Sequence, residues 1–250
     1  MSATHLVRHD RTRGVTTLTL DSPANRNALS SALVGEVTEL LRRAGKDGDT
    51  RAVVLTHTGT TFCAGADLRD PPDPDALVGL LRTIVALEKP VVARVDGHVR
   101  AGGLGLVGAC DIAAASARAS FAFTEVRIGV APAVISMPLL PRVDPRAIAR
   151  YYLTGERFDA AEAARIGVVT VAAADDSDVD TVLEPVLDGL RRSAPHALAE
   201  TKQLLTVKVL QALDRDAEAL TALSARLFAS DQAREGMTAF LERRDPAWVL

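Results

Sequence analysis

The 250-residue chain lacks the features that mark membrane-spanning, secreted or nucleic-acid-binding proteins. No apolar run reaches the about 18 residues that a helix needs to cross a bilayer. The first residues, MSATHLVRHDRTRG, contain no apolar core of a secretory signal. The 29 basic and 32 acidic residues give a net charge of −3 without a basic block, so nucleic acid is not an expected partner.

Cysteine is also scarce, with only Cys63 and Cys110 in the chain. Two cysteines do not make a disulfide framework, and we expect reduced thiols in a cytoplasmic protein. His57 and His98 have no companion at ligand spacing, so no metal site is expected. Cys63 is interpreted as a small buried residue, because no base is placed beside it in the sequence.

What the sequence does contain is an alternation of strand and helix patterns. The β-rich run VTTLTL (15–20) precedes a stretch with apolar residues at one-face helical spacing (33–44), for which Ser30 or Ser31 is the expected N-cap. The run RAVVLTH precedes a helical pattern over 75–87, and PVVARV begins a third unit that ends in a strand over 111–115. This alternation predicts a mostly parallel sheet with crossover helices.

The last third has a different composition. From Asp159 onward the chain is rich in Ala, Leu, Arg and Glu, and strand patterns end after VVTVAA. Three helices are predicted, over 195–210, 217–229 and 231–243.

The segment RAGGLGLVGACD has the glycine spacing of a dinucleotide-binding turn at Gly103, Gly105 and Gly108. Such a turn directly follows a strand, whereas here PVVARV ends near Val95 and DGHVRA intervenes. The expected acidic partner could only be Glu125, whose surroundings do not resemble a buried strand end. A nucleotide-dependent oxidoreductase is therefore disfavoured. A purely structural role, in which the glycines let helices pack closely, remains an alternative explanation of their spacing.

Two stretches of small residues, TFCAGADL and AGGLGL, favour a different chemistry. Each is a turn where backbone N–H groups are not covered by bulky side chains. Two such donors that converge on one carbonyl oxygen form an oxyanion hole, which stabilises charge developing on that oxygen. A following helix would add its dipole. On this interpretation, the glycines expose backbone N–H groups to the carbonyl oxygen of a substrate rather than to a diphosphate.

Five segments resemble the crotonase, or enoyl-CoA hydratase/isomerase, superfamily in order and spacing. They are SPANRNALS, TFCAGADL, VDGHVRAGGLGLVGACDI, FAFTEVRIGVAP and YYLTGERFDAAEAARIGVV. The resemblance covers about Val15 to Val169, and FLERRDPAW is similar to the C-terminal segment of that family. It implies an α/β fold in which a crotonase-like spiral of ββα units is followed by C-terminal helices.

The resemblance also implies a domain organisation and a substrate. Residues 1–194 would form the spiral core that binds acyl-CoA, and residues 195–250 a C-terminal helical region for oligomerisation. The assembly would be a homotrimer or a dimer of trimers. The substrate would be an unsaturated acyl-CoA of fatty-acid or branched-chain metabolism, with coenzyme A as part of the substrate and no other cofactor.

The resemblance assigns roles residue by residue. The oxyanion-hole amides fall on Ala66 and Gly102, and one acid/base carboxylate falls on Glu125. The position of a second carboxylate falls on Gly105 and is therefore vacant. The expected contacts to CoA are Arg26, Ala28, Ala64, Asp67, Leu68 and Gly103, with Arg243 near a CoA phosphate.

The vacancy at Gly105 bears on the reaction. Hydration is easily shared by two carboxylates, whereas one carboxylate can move a double bond by itself. Gly105 thus favours isomerisation, although Glu125 with a bound water could still hydrate. Hydrolysis or decarboxylation of an acyl-CoA, and CoA binding without turnover, remain open alternatives. Without the resemblance, Glu125 would be interpreted as a solvated or ion-paired side chain.

Overall fold

The computed structural model describes residues 5–174 and 178–250. Strands and helices alternate over most of this length. The strands are β1 (Val7–Thr12), β2 (Val15–Leu20), β3 (Ala52–His57), β4 (Thr61–Cys63), β5 (Val91–Val95), β6 (His98–Arg100), β7 (Ile112–Ala115), β8 (Ser120–Ala122), β9 (Phe158–Asp159) and β10 (Val171–Ala172). The α-helices are α1 (Ser31–Lys46), α2 (Pro74–Ala86), α3 (Gly102–Ala109), α4 (Ala133–Leu139), α5 (Pro145–Thr154), α6 (Ala160–Arg165), α7 (Val179–Arg192), α8 (Pro195–Phe228) and α9 (Asp231–Glu242).

The strands form two sheets rather than the single sheet that the alternation predicted. One has the order β1-β2-β3-β5-β7-β10, and the other has the order β4-β6-β8-β9. Each turn of the chain adds a strand to both sheets, first β3 and β4, then β5 and β6, then β7 and β8. Neighbours are parallel except for the pairs β1–β2 and β8–β9. The predicted crotonase-like spiral of ββα units is confirmed.

Helix α1 shows how the sequence pattern fixes an element. The Ser30 side chain accepts a hydrogen bond from the Leu33 backbone N–H at 3.2 Å, which satisfies one free donor of the first turn. Leu33, Val37 and Leu41 lie on one face and are fully buried in the core. Ser30, rather than Ser31, is therefore the N-cap.

The C-terminal region corrects the prediction of three helices. Residues 195–228 form the single helix α8, because the stretch 211–216 contains no glycine or proline that would end it and Leu213 is fully buried. Helix α8 packs on α2 and α4, so it shares the core of the spiral. No helix in the described residues is both long and apolar enough to cross a membrane. The oligomerisation role of residues 195–250 stays a prediction.

An ion pair between Lys202 and Asp111 connects α8 to the six-stranded sheet. Lys202 is 4% exposed, and its Nζ lies 2.8 Å from Oδ2 of Asp111. The same ammonium donates to the carbonyl oxygens of Ile84 at 2.9 Å and Lys89 at 3.0 Å. The Asp111 carboxylate also accepts from the Val91 backbone N–H at 2.7 Å, so it joins the start of β5 to α8.

Replacement of Lys202 by methionine should lower the free energy of unfolding by about 3–5 kcal/mol, because the mostly buried Asp111 carboxylate loses the ammonium group that is paired with it. Urea denaturation measures the change. Lys208→Met is the matched control, since Lys208 is an exposed lysine on the same helix and its loss should change stability by about 0.5 kcal/mol or less. Equal stability of the two variants would show that the pair contributes nothing.

Candidate active site

Two loops meet where the oxyanion hole was predicted. Leu29 and Ala66 form an isolated parallel bridge, in which the Leu29 N–H donates to Gly65 O at 2.8 Å and the Asp67 N–H donates to Leu29 O at 2.9 Å. The bridge uses the polar groups on either side of Ala66. Within residues 5–174 and 178–250, no acceptor is found for the Ala66 N–H, which is thus available to a ligand.

The second donor lies at the start of α3. Gly102 is the first residue of this helix, and its N–H likewise donates to no acceptor in the described part of the chain. A β-carbon placed on Gly102 would lie 3.7 Å from the Ala66 nitrogen, so the two backbones lie close to each other. The structure therefore brings Ala66 and Gly102 together as adjacent amide donors.

The turn before α3 is held in a strained backbone conformation. Ala101, the N-cap of α3, has φ 45° and ψ −119°, a conformation that L-residues rarely adopt. Its N–H donates to Ala122 O at 3.1 Å, which ties the turn to the end of β8. Gly65 has φ +96°, and a β-carbon there would lie 2.9 Å from the Ala101 β-carbon. Only glycine fits at position 65.

Asn27 orders the loop that precedes α1. It is fully buried with φ 52°, and its side-chain amide donates to Thr61 O at 2.8 Å and to Thr58 O at 3.1 Å. Its side-chain oxygen accepts from the Ser22 N–H at 2.8 Å. These bonds fix the Leu29 backbone that pairs with Ala66.

Glu125 lies in a short 3₁₀ turn, Glu125–Ile128, which begins three residues after the end of β8. The residue is 7% exposed, and its Oε2 has no hydrogen-bond partner in the described part of the molecule. Burial raises the pKa of this carboxyl to about 7, although its own backbone N–H partly opposes the shift. A group that titrates near neutrality can both accept and return a proton.

The model of the protein family described as "Enoyl-CoA hydratase/isomerase" matches residues 10–249. The chain belongs to the enoyl-CoA hydratase/isomerase family. A crystal structure of an enoyl-CoA hydratase from Mycobacterium avium is similar with a TM-score of 0.91 and 52% identity, and the match covers 100% of both chains. A mevalonyl-coenzyme A hydratase of Aspergillus fumigatus is 32% identical over 92% of this chain and 90% of the relative. A 2,3-dehydroadipyl-CoA hydratase of Escherichia coli is 30% identical over 94% and 95%.

The predicted superfamily, fold and enzyme class are thereby confirmed: the protein is an enzyme of the enoyl-CoA hydratase/isomerase family that acts on acyl-CoA. The individual site roles stay predictions. Many of the residues expected to contact CoA lie in the two loops that the Leu29–Ala66 bridge joins. Arg26 is exposed, and its carbonyl oxygen accepts from the Ala64 N–H at 3.1 Å, which places these two residues side by side.

The remaining residues expected to contact CoA differ in exposure. Ala28 is buried, while Asp67 and Leu68 are partly exposed. The Asp67 carboxylate accepts from the Arg69 N–H at 2.9 Å, which shapes the loop. Arg243 is exposed at the C-terminal end of α9, with φ 57°.

The glycines of the segment AGGLGLVG are required for different structural reasons. The sequence placed AGGLGL in a turn before the helix, but the helix begins at Gly102, so the later glycines lie inside α3. A β-carbon on Gly103 would lie 2.8 Å from that of Cys63, and one on Gly108 would lie 2.5 Å from Leu139 Cγ. The packing alternative is thus the better account of Gly103 and Gly108.

Gly105 is covered by Ile135 of α4. A β-carbon on Gly105 would lie 2.6 Å from Ile135 Cγ2 and 3.1 Å from Ile135 Cβ. The vacant carboxylate position is therefore filled by an apolar side chain from the neighbouring helix. A glutamate could not enter without displacing Ile135.

We expect Gly105→Glu to lower the free energy of unfolding by about 3 kcal/mol or more, through overpacking and a buried carboxylate without a partner. The double variant Gly105→Glu/Ile135→Ala should recover part of this loss, because the Ile135 methyl groups are removed. Gly35→Glu is the control, since nothing lies within 4 Å of a β-carbon at exposed Gly35. Chemical denaturation of the three variants would refute the packing argument if Gly105→Glu were as stable as the control.

Sequence reasoning missed Asn27 and Ile135, whose contacts join segments far apart in the chain. Only Asn27 had a local signal, since asparagine tolerates positive φ in turns such as SPANRN. The interpretation of Cys63 as an inert buried residue agrees with the structure. It is fully buried, and burial raises the pKa of its thiol to about 12.

Proposed function

We propose that the protein adds water to the double bond of a 2-enoyl-CoA thioester, with Glu125 as its single acid/base. The observation that carries the proposal is a buried carboxylate with a pKa of about 7 in the chain that also presents two adjacent amide donors at Ala66 and Gly102. The relatives named above support water as the second reactant, because each is named a hydratase.

The steps follow from the residues present. The Ala66 and Gly102 N–H groups donate to the thioester carbonyl oxygen, which draws electron density from C3 of the acyl chain. Ionised Glu125 takes a proton from a water molecule while the water oxygen bonds to C3, and the negative charge moves to the carbonyl oxygen as an enolate. Protonated Glu125 then returns the proton to C2. All atoms of water are thus added, and Glu125 ends in its starting state.

Isomerisation is the second candidate, and the packing of Ile135 against Gly105 favours it. With no second carboxylate, Glu125 would take a proton from C2 of a 3-enoyl-CoA and return it to C4. The same two amides would stabilise the enolate. Hydrolysis and decarboxylation of an acyl-CoA would use the same amides.

We also propose a homotrimer or a dimer of trimers in the cytoplasm. Support for self-association comes from large apolar side chains exposed on the C-terminal helices, with Leu204 78%, Leu205 74% and Leu241 65% exposed. Cys63 and Cys110 are both free, as expected in a reducing compartment. Coenzyme A would enter as part of the substrate, without a further cofactor.

A panel of 2-enoyl-CoA and 3-enoyl-CoA substrates of increasing chain length tests the proposal with the purified protein. Loss of the enoyl absorbance of the 2-enoyl-CoA reports hydration, and separation of the products by chromatography reports isomerisation. Hydration faster than isomerisation would support the first candidate. Isomerisation with negligible hydration across the panel would replace it with the second.

A further inference from the structure

Two buried oxygens without hydrogen-bond partners lie in neighbouring elements. They are Oε2 of Glu125 and the hydroxyl oxygen of Tyr152, and within residues 5–174 and 178–250 neither has a donor or acceptor. A buried polar atom left unpaired destabilises a protein by about 1–3 kcal/mol. On two elements that contact each other, each of these atoms lacks a polar partner that the described residues could supply, and this calls for an explanation.

The elements that carry these oxygens are fastened to each other. Tyr152 lies in the last turn of α5, and the Arg127 side chain of the 3₁₀ turn donates from Nε to Thr154 O at 3.0 Å. The Tyr152 ring also packs on Phe123, with 4.3 Å between the ring centroids. Phe123 and Arg127 flank Glu125 in the chain, so these two contacts hold α5 against the segment that carries Glu125.

The electrostatics agree with this placement. Burial raises the pKa of the Tyr152 phenol, and the Glu125 charge raises it further. The phenol therefore stays protonated whenever Glu125 is ionised, and its O–H remains a donor.

We propose that Tyr152 is a positioning residue for the attacking water in the hydration reaction. The water would donate one hydrogen bond to Glu125 Oε2 and accept one from the Tyr152 hydroxyl. The water oxygen would then face C3, and its second lone pair would form the new bond to that carbon. The inference rests on the proposed hydratase function. Tyr152 would thus supply a second polar group to the site, in place of the carboxylate that is missing at position 105.

The neighbouring tyrosine shows that this arrangement is specific to position 152. The Tyr151 hydroxyl donates to Glu162 Oε1 at 2.7 Å, so it already has a carboxylate partner on α6. Its ring packs on Phe158 rather than Phe123. Tyr151→Phe is therefore a matched control, because it removes one hydroxyl from the same turn of α5 and leaves Glu125 and Tyr152 unchanged.

The test separates water addition from proton transfer at carbon. Hydration of a 2-enoyl-CoA needs the water, whereas exchange of the C2 protons of butyryl-CoA with D₂O needs only Glu125 and the amide donors. Tyr152→Phe should lower kcat for hydration about 10-fold or more, with KM and the exchange rate within about 2-fold of the wild type. Tyr151→Phe should change neither rate. Thermal unfolding of both variants checks that they remain folded.

The outcomes are distinct. Unchanged hydration in folded Tyr152→Phe would overturn the inference while leaving the hydratase function intact. An equal fall in hydration and exchange would also overturn it, because Tyr152 would then act on Glu125 or on the local structure rather than on water. Absence of hydration by the wild type would overturn the proposed function and this inference together.

Discussion

Glu125→Gln should lower turnover about 100-fold or more while coenzyme A binding stays nearly unchanged. Glutamine keeps the shape of the side chain but cannot accept the proton that the reaction transfers. Steady-state kinetics and calorimetric titration with CoA measure the two effects. Full activity in this variant would exclude Glu125 as the base.

The pH dependence provides an independent check on the same residue. Because Glu125 must be ionised to act as a base, kcat/KM of the wild type should fall as the pH decreases through about 7. This acid limb should be absent from the residual activity of Glu125→Gln. A wild-type limb near the ordinary carboxyl pKa of 4.5 would contradict the effect of burial.

Loss of activity should be accompanied by a gain in stability. The folded-state pKa of Glu125 is higher than its ordinary value of 4.5, so the folded protein binds this proton more tightly than the unfolded chain does. Ionisation therefore destabilises the wild type progressively between pH 4.5 and about 7, and fully above that range. Glu125→Gln should be more stable at pH 8 by up to about 3 kcal/mol, and this advantage should vanish toward pH 4.

Gly102→Pro should lower turnover about 100-fold or more by removing one amide donor of the oxyanion hole. Gly102 is the first residue of α3, where proline is tolerated because its missing N–H has no partner within the helix. The substitution thus deletes a hydrogen bond to the substrate without breaking a hydrogen bond of the protein. Initial rates across a range of substrate concentrations measure the effect.

The control for Gly102→Pro is Gly102→Ala, which adds a β-carbon but keeps the N–H. That carbon would lie 3.0 Å from Leu29 Cδ1, the end of a flexible side chain that can move by a few tenths of an ångström. Alanine should therefore retain most of the activity. Circular dichroism must show that the proline variant is folded. Equal activity of the two variants would mean that this amide does not bind the carbonyl.

The sequence was sufficient for the elements whose local pattern agrees with their burial. Strand β2 and helix α1 follow β-propensity, apolar periodicity and a serine cap, all of which are local. The second sheet was not visible in this way, because strands such as β4 and β8 have only three residues. The resemblance supplied it instead.

The candidate site could be predicted only in part for the same physical reason. The small-residue turns TFCAGADL and AGGLGL indicated exposed amides, and the resemblance singled out Ala66, Gly102 and Glu125. The burial that raises the pKa of Glu125 is a property of tertiary packing. So are the covering of Gly105 by Ile135 and the approach of Tyr152, which join residues about 30 positions apart. No local pattern in FAFTEVRIG or YYLTG predicts these contacts.

The 3₁₀ turn that carries Glu125 is supported by the last helix of the chain. Gly236 of α9 lies so close to the turn that a β-carbon there would be 2.5 Å from the Ile128 carbonyl carbon, and the Gly129 backbone makes a similar approach to Gln232. Helix α9 comes later in the chain than both amide donors and the general base, so this support depends on a segment more than 100 positions away from Glu125. We expect the enzyme to be active only when α9 is packed against this turn, so that a chain in which α9 is unfolded could not act on acyl-CoA.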